Sequence, residues 1–192
     1  MHAHFCKHMW EAAFWKSLER VQELYHYGRH IDGWGASKPD TLQTPFHMAC
    51  MNDDIPMMEW LSSQRDTRGK RKINPNAVSK GGHTPFWIAA ATGNDDAVDW
   101  LLERRQELKI NVAALPNNEK RCWQIARRMG FPDVADRVEA AAKEDGVWVE
   151  PIAEDEIGTE EGETDKGAAA DAKMADAAAP APAAAPVDAA KE

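Results

Sequence analysis

The chain has 192 residues, of which 43% are hydrophobic and 29% charged, and its net charge is −9. The charge is uneven, because residues 1–143 sum to +2 whereas residues 144–192 sum to −11. The first part therefore has no basic face of the kind that nucleic acid requires, and no window approaches the roughly 18 apolar residues of a membrane span. We expect a protein that binds neither nucleic acid nor membrane.

The three cysteines, Cys6, Cys50 and Cys122, are widely spaced and form no CxxC pair. Neither a disulfide framework nor a cysteine zinc site is indicated by this pattern. The N-terminus also lacks the apolar core of a signal peptide. We therefore expect a reducing compartment and a cytoplasmic protein.

Self-comparison of the chain shows a repeat of 37 to 40 residues. The segment from Thr44, TPFHMACMNDDIPMMEWL, aligns with TPFWIAAATGNDDAVDWL from Thr84, and RCWQIARRMGFPDVADRV follows from Arg121. Upstream, MWEAAFWKSLERVQEL supplies a first copy. Repeats of this length indicate a solenoid of stacked units. Four units are predicted, over residues 7–43, 44–83, 84–120 and 121–143.

Each unit predicts a pair of helices. Thr44 and Thr84 supply a capping oxygen, and the proline after each begins a short first helix that Gly93 ends in unit three. A second, amphipathic helix follows, and its apolar stripe needs the neighbouring unit for burial. Small residues recur in the first helices and let them approach closely: Ala12, Ala49, Ala89 and Ala126. The predicted fold class is an all-α helical-hairpin solenoid.

The motifs TPFHMAC and TPFWIAAATG resemble the ankyrin repeat, whose signature is T-P-L-H-x-A followed by a glycine-closed helical hairpin. The resemblance covers roughly residues 8–142. It implies a structural, hydrogen-bonding role for His47, and Trp87 stands at the same position in unit three. Since an indole has only one donor, Trp87 is expected either to bridge to the next unit or to widen the groove locally. Trp60, Trp100 and Trp123 are interpreted as packing residues.

Unit four departs from the family pattern. It lacks Thr-Pro and carries Arg127, Arg128 and Arg137 at positions that would be apolar or small in an internal unit. A terminal unit needs a polar outer face, so unit four is interpreted as the C-terminal cap.

Residues 144–192 form an acidic segment rich in alanine and proline, which we expect to be mostly disordered because few apolar residues offset the entropy of ordering it. One strip within it is apolar, comprising Val147, Trp148, Val149 and Ile152. We expect this strip to fold back on the last helix, with a docking motif for another protein as the alternative.

Few residues of the chain form a pattern that is typical of a catalytic or metal-binding site. His2, His4, Cys6 and His8 alternate in a pattern that could ligate zinc or copper, but no second cluster closes the site, so no metal is predicted. No GxSxG, HExxH, P-loop or GxGxxG motif occurs. We predict no catalytic residues, no cofactor and no enzymatic activity.

A basic segment at residues 65–72 precedes unit three. It contains Arg65, Arg68, Lys70, Arg71 and Lys72. It is interpreted as a solvated loop, with contact to a partner or a nuclear import signal as alternatives.

The ankyrin resemblance implies a concave groove, built by the first helices and the turn tips, on which protein partners dock. By register, we expect the groove to present Phe14, Trp15, Trp34, Met51, Asn52, His83, Thr92, Lys120, Arg128 and Met129, with Gln43 at a turn tip. Because Phe14 and Trp15 are adjacent in a helix, one of them is expected to be exposed or covered by a partner. Replacing Trp15 and Met51 by alanine is expected to weaken partner binding and to leave the melting transition nearly unchanged, whereas loss of folding would place these residues in the core.

The resulting prediction is a non-catalytic adaptor or scaffold that binds an unidentified protein and is monomeric when unbound. Two alternatives remain at this stage. One is a permanent structural subunit of a cytoskeletal, ciliary or chaperone complex, and the other is a nuclear regulator that uses residues 65–72.

Overall fold

A computed structural model describes residues 6–32, 37–114 and 120–148. Within these ranges the chain forms nine helices and no strand, apart from one isolated antiparallel bridge between Arg65 and Arg71. The helices are α1 (Met9–Phe14), α2 (Leu18–His26), α3 (Pro45–Met51), α4 (Ile55–Ser63), α5 (Pro85–Thr92), α6 (Asp95–Glu103), α7 (Arg105–Leu108), α8 (Cys122–Arg128) and α9 (Pro132–Glu144). Trp34 and the tail from residue 149 lie outside the described residues.

The helices pack as four hairpins, α1 with α2, α3 with α4, α5 with α6 and α8 with α9. The first helices form an inner row, in which α1 contacts α3, α3 contacts α5, and α5 contacts α8. The second helices form an outer row, where α4 contacts α6 and α6 contacts α9. The all-α hairpin solenoid predicted from the repeat is confirmed.

The inner row is close-packed because small residues lie at its contacts. Ala12, Ala49, Ala89 and Ala126 are all fully buried. A larger side chain at any of these four positions would have to displace the neighbouring helix, since the close-packed interior of a protein leaves little free volume.

The Thr-Pro helix starts form as predicted. The Thr44 hydroxyl accepts a hydrogen bond from the backbone N–H of His47, and Thr84 accepts one from the N–H of Trp87 at 3.2 Å. In unit four, which lacks this motif, the Gln124 side chain accepts from the N–H of Arg121 at 3.0 Å. Each of these bonds satisfies an N–H at the helix N-terminus that would otherwise lack a partner.

Every hairpin turns through one residue in the left-handed region. The equivalent residues are Lys16, Asp53, Gly93 and Gly130, with φ values of 54°, 57°, 70° and 93°. Gly93 ends α5, as predicted. Glycine adopts this conformation without strain, whereas a side chain costs roughly 1–2 kcal/mol there. The first two hairpins therefore fold despite an unfavourable residue at the turn.

Arg137 joins unit four to unit three, so its predicted place on the outer face of a cap is wrong. It lies on α9, and its Nη1 donates to both carboxylate oxygens of Asp99 on α6 at 2.6 Å, while its Nη2 bonds Asp95. A guanidinium presents parallel donors that match a carboxylate, and this geometry favours an ion pair across the α6 and α9 contact.

Val147 and Trp148 are the residues of the apolar strip after α9 that the structure describes. Trp148 is half-buried against the core, and the Lys143 ammonium lies 5.0 Å from its ring centroid. Val147 stays 40% exposed. The fold-back interpretation therefore holds for Trp148, whereas Val149 and Ile152 lie outside the described residues.

A candidate protein-binding groove on the inner helices

His47 ties unit two to the turn that enters unit three. The ring is fully buried, and its Nδ1 accepts a hydrogen bond from the backbone N–H of Thr44 at 3.0 Å. That bond leaves the proton on Nε2, which donates to the main-chain carbonyl of His83 at 3.2 Å. The structural role implied by the ankyrin resemblance is confirmed.

Trp87 makes the same connection one unit further along the stack. Its indole Nε1 donates to the main-chain carbonyl of Lys120 at 3.0 Å, and its ring stacks on His83 with centroids 4.0 Å apart. Lys120 and His83 each precede the N-cap residue of the next inner helix. Of the two interpretations of Trp87, the bridge to the next unit is therefore confirmed.

Trp10 occupies the corresponding position in unit one, 37 residues before His47. Its Nε1 is buried but has no hydrogen-bond partner among the residues that the structure describes. The equivalent acceptor, the carbonyl of Gln43, instead accepts from the backbone N–H of Lys38 at 2.9 Å. The bond that joins the later units is thus not made between units one and two.

A pocket of about 240 Å³ opens at this boundary, between α1, α3 and the turn that precedes α3. Most of its surface is carbon, and we call it the Trp10 pocket. It is lined by Trp10, Glu11, Phe14, Trp15, Lys38, Gln43, Met48 and Met51. Concave apolar sites with a few polar groups are the usual form of a binding site.

A family model of ankyrin repeats, in three copies, matches residues 9–113, more than half of the chain. The chain belongs to the ankyrin-repeat family. Members of this family mediate protein–protein interactions and are typically non-catalytic. The match ends before α8, and the hairpin of α8 and α9 packs on α5 and α6. A comparison with curated proteins found no match.

At the N-terminal end of the ankyrin stack, Trp15 is the exposed member of the adjacent aromatic pair. It is 40% exposed, whereas Phe14 is half-buried against the core, and the two rings meet edge to face with centroids 5.3 Å apart. The expectation that one of the two is exposed is confirmed. Because α1 ends at Phe14, Trp15 leaves the helix at the mouth of the Trp10 pocket.

At the other end of the stack, Arg128 and Met129 are exposed at the C-terminus of α8, and Met129 is 44% exposed. Lys120 is half-buried, and its carbonyl accepts the Trp87 bond. Both ends of the inner row therefore present side chains that the sequence placed in the groove.

The sequence also placed Met51 and His83 at the groove surface, but both side chains are buried. Met51 is 5% exposed and contributes only to the wall of the Trp10 pocket. His83 is 1% exposed because Trp87 covers its ring. The repeat register gives the position of a residue along the stack. Whether its side chain is accessible depends on the neighbouring side chains that pack against it, as Trp87 does against His83.

Asn52 and Thr92 are half-buried, and their side chains bind the protein's own backbone. Asn52 donates through Nδ2 to the carbonyl of Phe14 at 2.8 Å, which satisfies the end of α1. The Thr92 hydroxyl donates to the carbonyl of Ile88 at 2.9 Å. Both side chains hold the helix ends that form the groove. Trp34, the remaining predicted residue, lies outside the described residues.

Sequence reasoning missed Trp10, Lys38 and Met48 as pocket residues. A signal for Trp10 was present, since it aligns in register with His47 and Trp87. Nothing in the repeat pattern indicates Lys38, whose ammonium lies 5.9 Å from the centroid of the Trp10 ring. Lys38 comes from the turn between units, and only folding brings that turn against α1.

The basic segment at residues 65–72 makes hydrogen bonds within itself and to α4 and α7. Arg71 donates through Nε to the carbonyl of Ser62 at 3.0 Å and pairs with Glu107 at 2.7 Å. The carboxylate of Asp66 accepts the backbone N–H groups of Arg68 and Lys70, both at 2.8 Å. These bonds fold the segment into a defined turn between α4 and α7.

Cys6, Cys50 and Cys122 are buried, and none of them is in a disulfide bond within the part of the chain that the structure describes. Burial raises the pKa of the Cys122 thiol to about 12 and also raises that of Cys50. Among the described residues, no three histidine, cysteine or acidic side chains cluster as a metal site would require. None of the described helices has the length and apolarity to cross a membrane.

Proposed function

We propose that this ankyrin-repeat protein is a non-catalytic adaptor whose partner protein docks on the groove of the inner helices. The observation that carries the proposal is the placement of Trp15, an exposed tryptophan at the mouth of an apolar pocket. Aromatic anchors beside a pocket dominate the affinity of many protein interfaces, and tryptophan and arginine are enriched among them.

The proposed interface runs along the inner row from Trp15 to Arg128 and Met129. Methionine adapts its shape to an apolar partner, and arginine supplies donors for carboxylates or carbonyls. The backbone bonds of Asn52 and Thr92 support this reading, because they hold the helix ends in place before a partner arrives. Such pre-organisation lowers the entropy lost on binding.

The proposal involves no catalytic step and no cofactor. It places the protein in the cytoplasm, monomeric when unbound, where three buried thiols would remain reduced. We assign no separate function to residues 65–72, because Arg71 and the backbone of the segment are already engaged in the bonds of its turn.

Affinity purification with two matched variants tests the proposal. Trp15→Ala removes the exposed aromatic of the groove, and Tyr27→Ala removes an aromatic that is 82% exposed at the end of the outer helix α2. We expect the full-length chain and Tyr27→Ala to retain the same partner protein, and Trp15→Ala to lose it. Tyr27→Ala should unfold within about 0.5 kcal/mol of the original chain. Trp15→Ala should lose about 0.5–1.5 kcal/mol from the aromatic pair with Phe14 and still unfold cooperatively.

Equal recovery of the partner with Trp15→Ala and Tyr27→Ala would contradict docking on the groove.

Sedimentation of the native protein in a density gradient distinguishes an adaptor from a permanent subunit. An adaptor leaves a fraction of free monomer, whereas an obligate subunit is found only in a large particle.

A further inference from the structure

We propose that residues 150–165 of this chain, which we call the acidic stretch, bind along one edge of its own helical stack. The edge is formed by three loops, which follow α2, α4 and α7, and we call it the loop edge. The loops span residues 28–32, 64–76 and 109–111. The contact is separate from the proposed docking of a partner on the inner helices, so neither proposal depends on the other.

The three loops lie side by side along the stack. Each contains a buried isoleucine directly after an exposed lysine or histidine, and the pairs are His30 and Ile31, Lys72 and Ile73, and Lys109 and Ile110. The carboxylate of Asp32 accepts a hydrogen bond from the backbone N–H of Asn74 at 2.6 Å. One unit further, the Asn76 side chain donates to the main-chain carbonyl of Lys109 at 2.7 Å. These bonds hold equivalent positions of neighbouring units next to each other, so the exposed residues form one row.

The loop edge carries more cations than its carboxylates neutralise. Five exposed cations form no ion pair with another described residue: Arg29, Arg68, Lys70, Lys72 and Lys109. Lys72 donates to the Tyr25 hydroxyl at 2.6 Å, which leaves its charge in place. The carboxylates are already engaged, Asp66 by the backbone of its own turn and Glu107 by Arg71. The bonds that fold the loop after α4 therefore leave three of its cations available to an anionic segment.

The chain leaves its last helix beside the loop edge. Asp145, just after α9, accepts hydrogen bonds from Arg105 Nε at 3.2 Å and from Gln106 Nε2 at 2.9 Å, and both donors lie on α7. Lys109 directly follows α7. Trp148 comes three residues after Asp145 and is therefore within about 10 Å of it. The acidic stretch consequently begins close to the unit-three end of the loop edge.

The charge and the length of the acidic stretch match the loop edge. It contains eight acidic residues and no basic one, whereas residues 166–192 have a net charge of only −1. An extended chain of this length reaches roughly 50 Å, and the loops of three stacked units span about 20 Å because packed helices lie about 8–10 Å apart. A segment tethered this closely has an effective concentration in the millimolar range, which favours binding even when each ion pair is weak. Because the occupant belongs to the same chain, the loop edge needs no partner protein of its own.

Zero-length cross-linking of the full chain tests the contact. A water-soluble carbodiimide joins a lysine amine to a carboxylate that touches it, and mass spectrometry of the digested monomer identifies the joined residues. Exposed lysines on the loop edge are Lys70, Lys72 and Lys109, and exposed lysines outside it serve as controls, namely Lys7, Lys16 and Lys80. At low salt we expect the edge lysines to join the acidic stretch at least about fivefold more often than the controls. Salt at about 1 M, where the Debye length is about 3 Å, should abolish the difference.

A binding measurement in trans uses matched variants. All acidic residues of the acidic stretch are changed to their amides in the full chain, which frees the loop edge, and a labelled synthetic peptide of residues 149–166 is titrated by fluorescence anisotropy. In this background the combination Lys70→Gln, Lys72→Gln and Lys109→Gln should weaken binding about tenfold, since it removes three exposed ion pairs. The combination Lys7→Gln, Lys16→Gln and Lys80→Gln removes the same charge elsewhere and should leave the affinity within about twofold. Cross-linking needs no variant, so it decides the proposal if a combination fails to fold.

Equal cross-linking of the edge and control lysines would overturn the proposal, and so would equal peptide affinity of the two lysine combinations. The same holds if the peptide binds the original chain as tightly as the chain with the neutralised stretch, because an occupied edge excludes it. Cross-links found only between two chains would assign the loop edge to a second copy, and peptide binding lost with Trp15→Ala would assign the acidic stretch to the groove. Either result rejects the proposal, while the proposed function is decided by its own purification experiment.

Discussion

Trp87 donates its indole N–H to the main-chain carbonyl of Lys120, 3.0 Å away in the next unit. His47 makes the equivalent bond to the carbonyl of His83. Two different rings therefore satisfy one requirement of the stack, a buried N–H aimed at the turn that enters the next inner helix. An indole can therefore make the bond between units in place of the family's histidine, whereas only the imidazole also accepts a hydrogen bond from the backbone N–H of Thr44.

Trp87→Phe should lower the free energy of unfolding by more than Trp123→Phe does. Both tryptophans are 1% exposed and both changes remove similar volume, but within the described residues only the Trp87 indole makes a hydrogen bond that is lost. The difference should be about 1 kcal/mol, the net value of one such bond. Urea titrations of the two variants measure it, and equal losses would mean that the bond contributes nothing.

Gly93→Ala should destabilise the protein by more than Gly130→Ala. Both residues have positive φ, but a Cβ at Gly93 would lie 2.4 Å from the Phe131 ring, whereas a Cβ at Gly130 meets nothing within 4 Å. Gly130→Ala should cost roughly 1–2 kcal/mol from backbone strain, and Gly93→Ala about 1–3 kcal/mol more from overpacking. Thermal unfolding compares them directly. Equal shifts would show that Phe131 moves aside freely.

Lys16→Gly should stabilise the first hairpin. Lys16 is exposed and has φ of 54°, so glycine relieves the strain of its Cβ. We expect a gain of about 1 kcal/mol relative to Lys16→Ala, which also lacks the charge but retains the Cβ. Denaturant unfolding of both variants is the measurement. A glycine variant no more stable than the alanine variant would place the strain elsewhere.

The stability of the protein should fall as the pH rises from about 9 toward 12. Burial raises the pKa of the folded Cys122 thiol to about 12 from an ordinary 9.0. In this window the unfolded chain loses the thiol proton while the folded chain keeps it, so unfolding is favoured by up to about 1.4 kcal/mol per pH unit for this group. Below about pH 9 both the folded and the unfolded chain keep the thiol proton, so the stabilising contribution of this group is fully present.

Cys122→Ala is the control for that pH dependence. Its free energy of unfolding should decline less steeply above pH 9 than that of the original chain. In the same window the folded original chain should resist iodoacetamide at Cys122, since the thiolate is the reactive form. Rapid alkylation of Cys122 in the folded chain would contradict the burial of the thiol.

Much of this fold was predictable from local signals. The helix starts at Thr-Pro and the left-handed conformation of Gly93 are determined by neighbouring residues, since caps and turns depend only on the few residues that form them. The structural role of His47 followed from the family motif. Groove exposure was less predictable, as Met51 and His83 show, because burial depends on which side chain of the next unit lies across a position.

The amino-acid sequence by itself determined the repeat, the order of paired helices and the membership of the ankyrin family, because these follow from periodic residues and their capping chemistry. Tertiary structure alone decided that Arg137 binds Asp99 and that Trp10 is left without the bond that His47 and Trp87 make. Such outcomes depend on distances between residues 33 to 38 positions apart, which the packing of one unit on the next sets. The Trp10 pocket is a product of that packing.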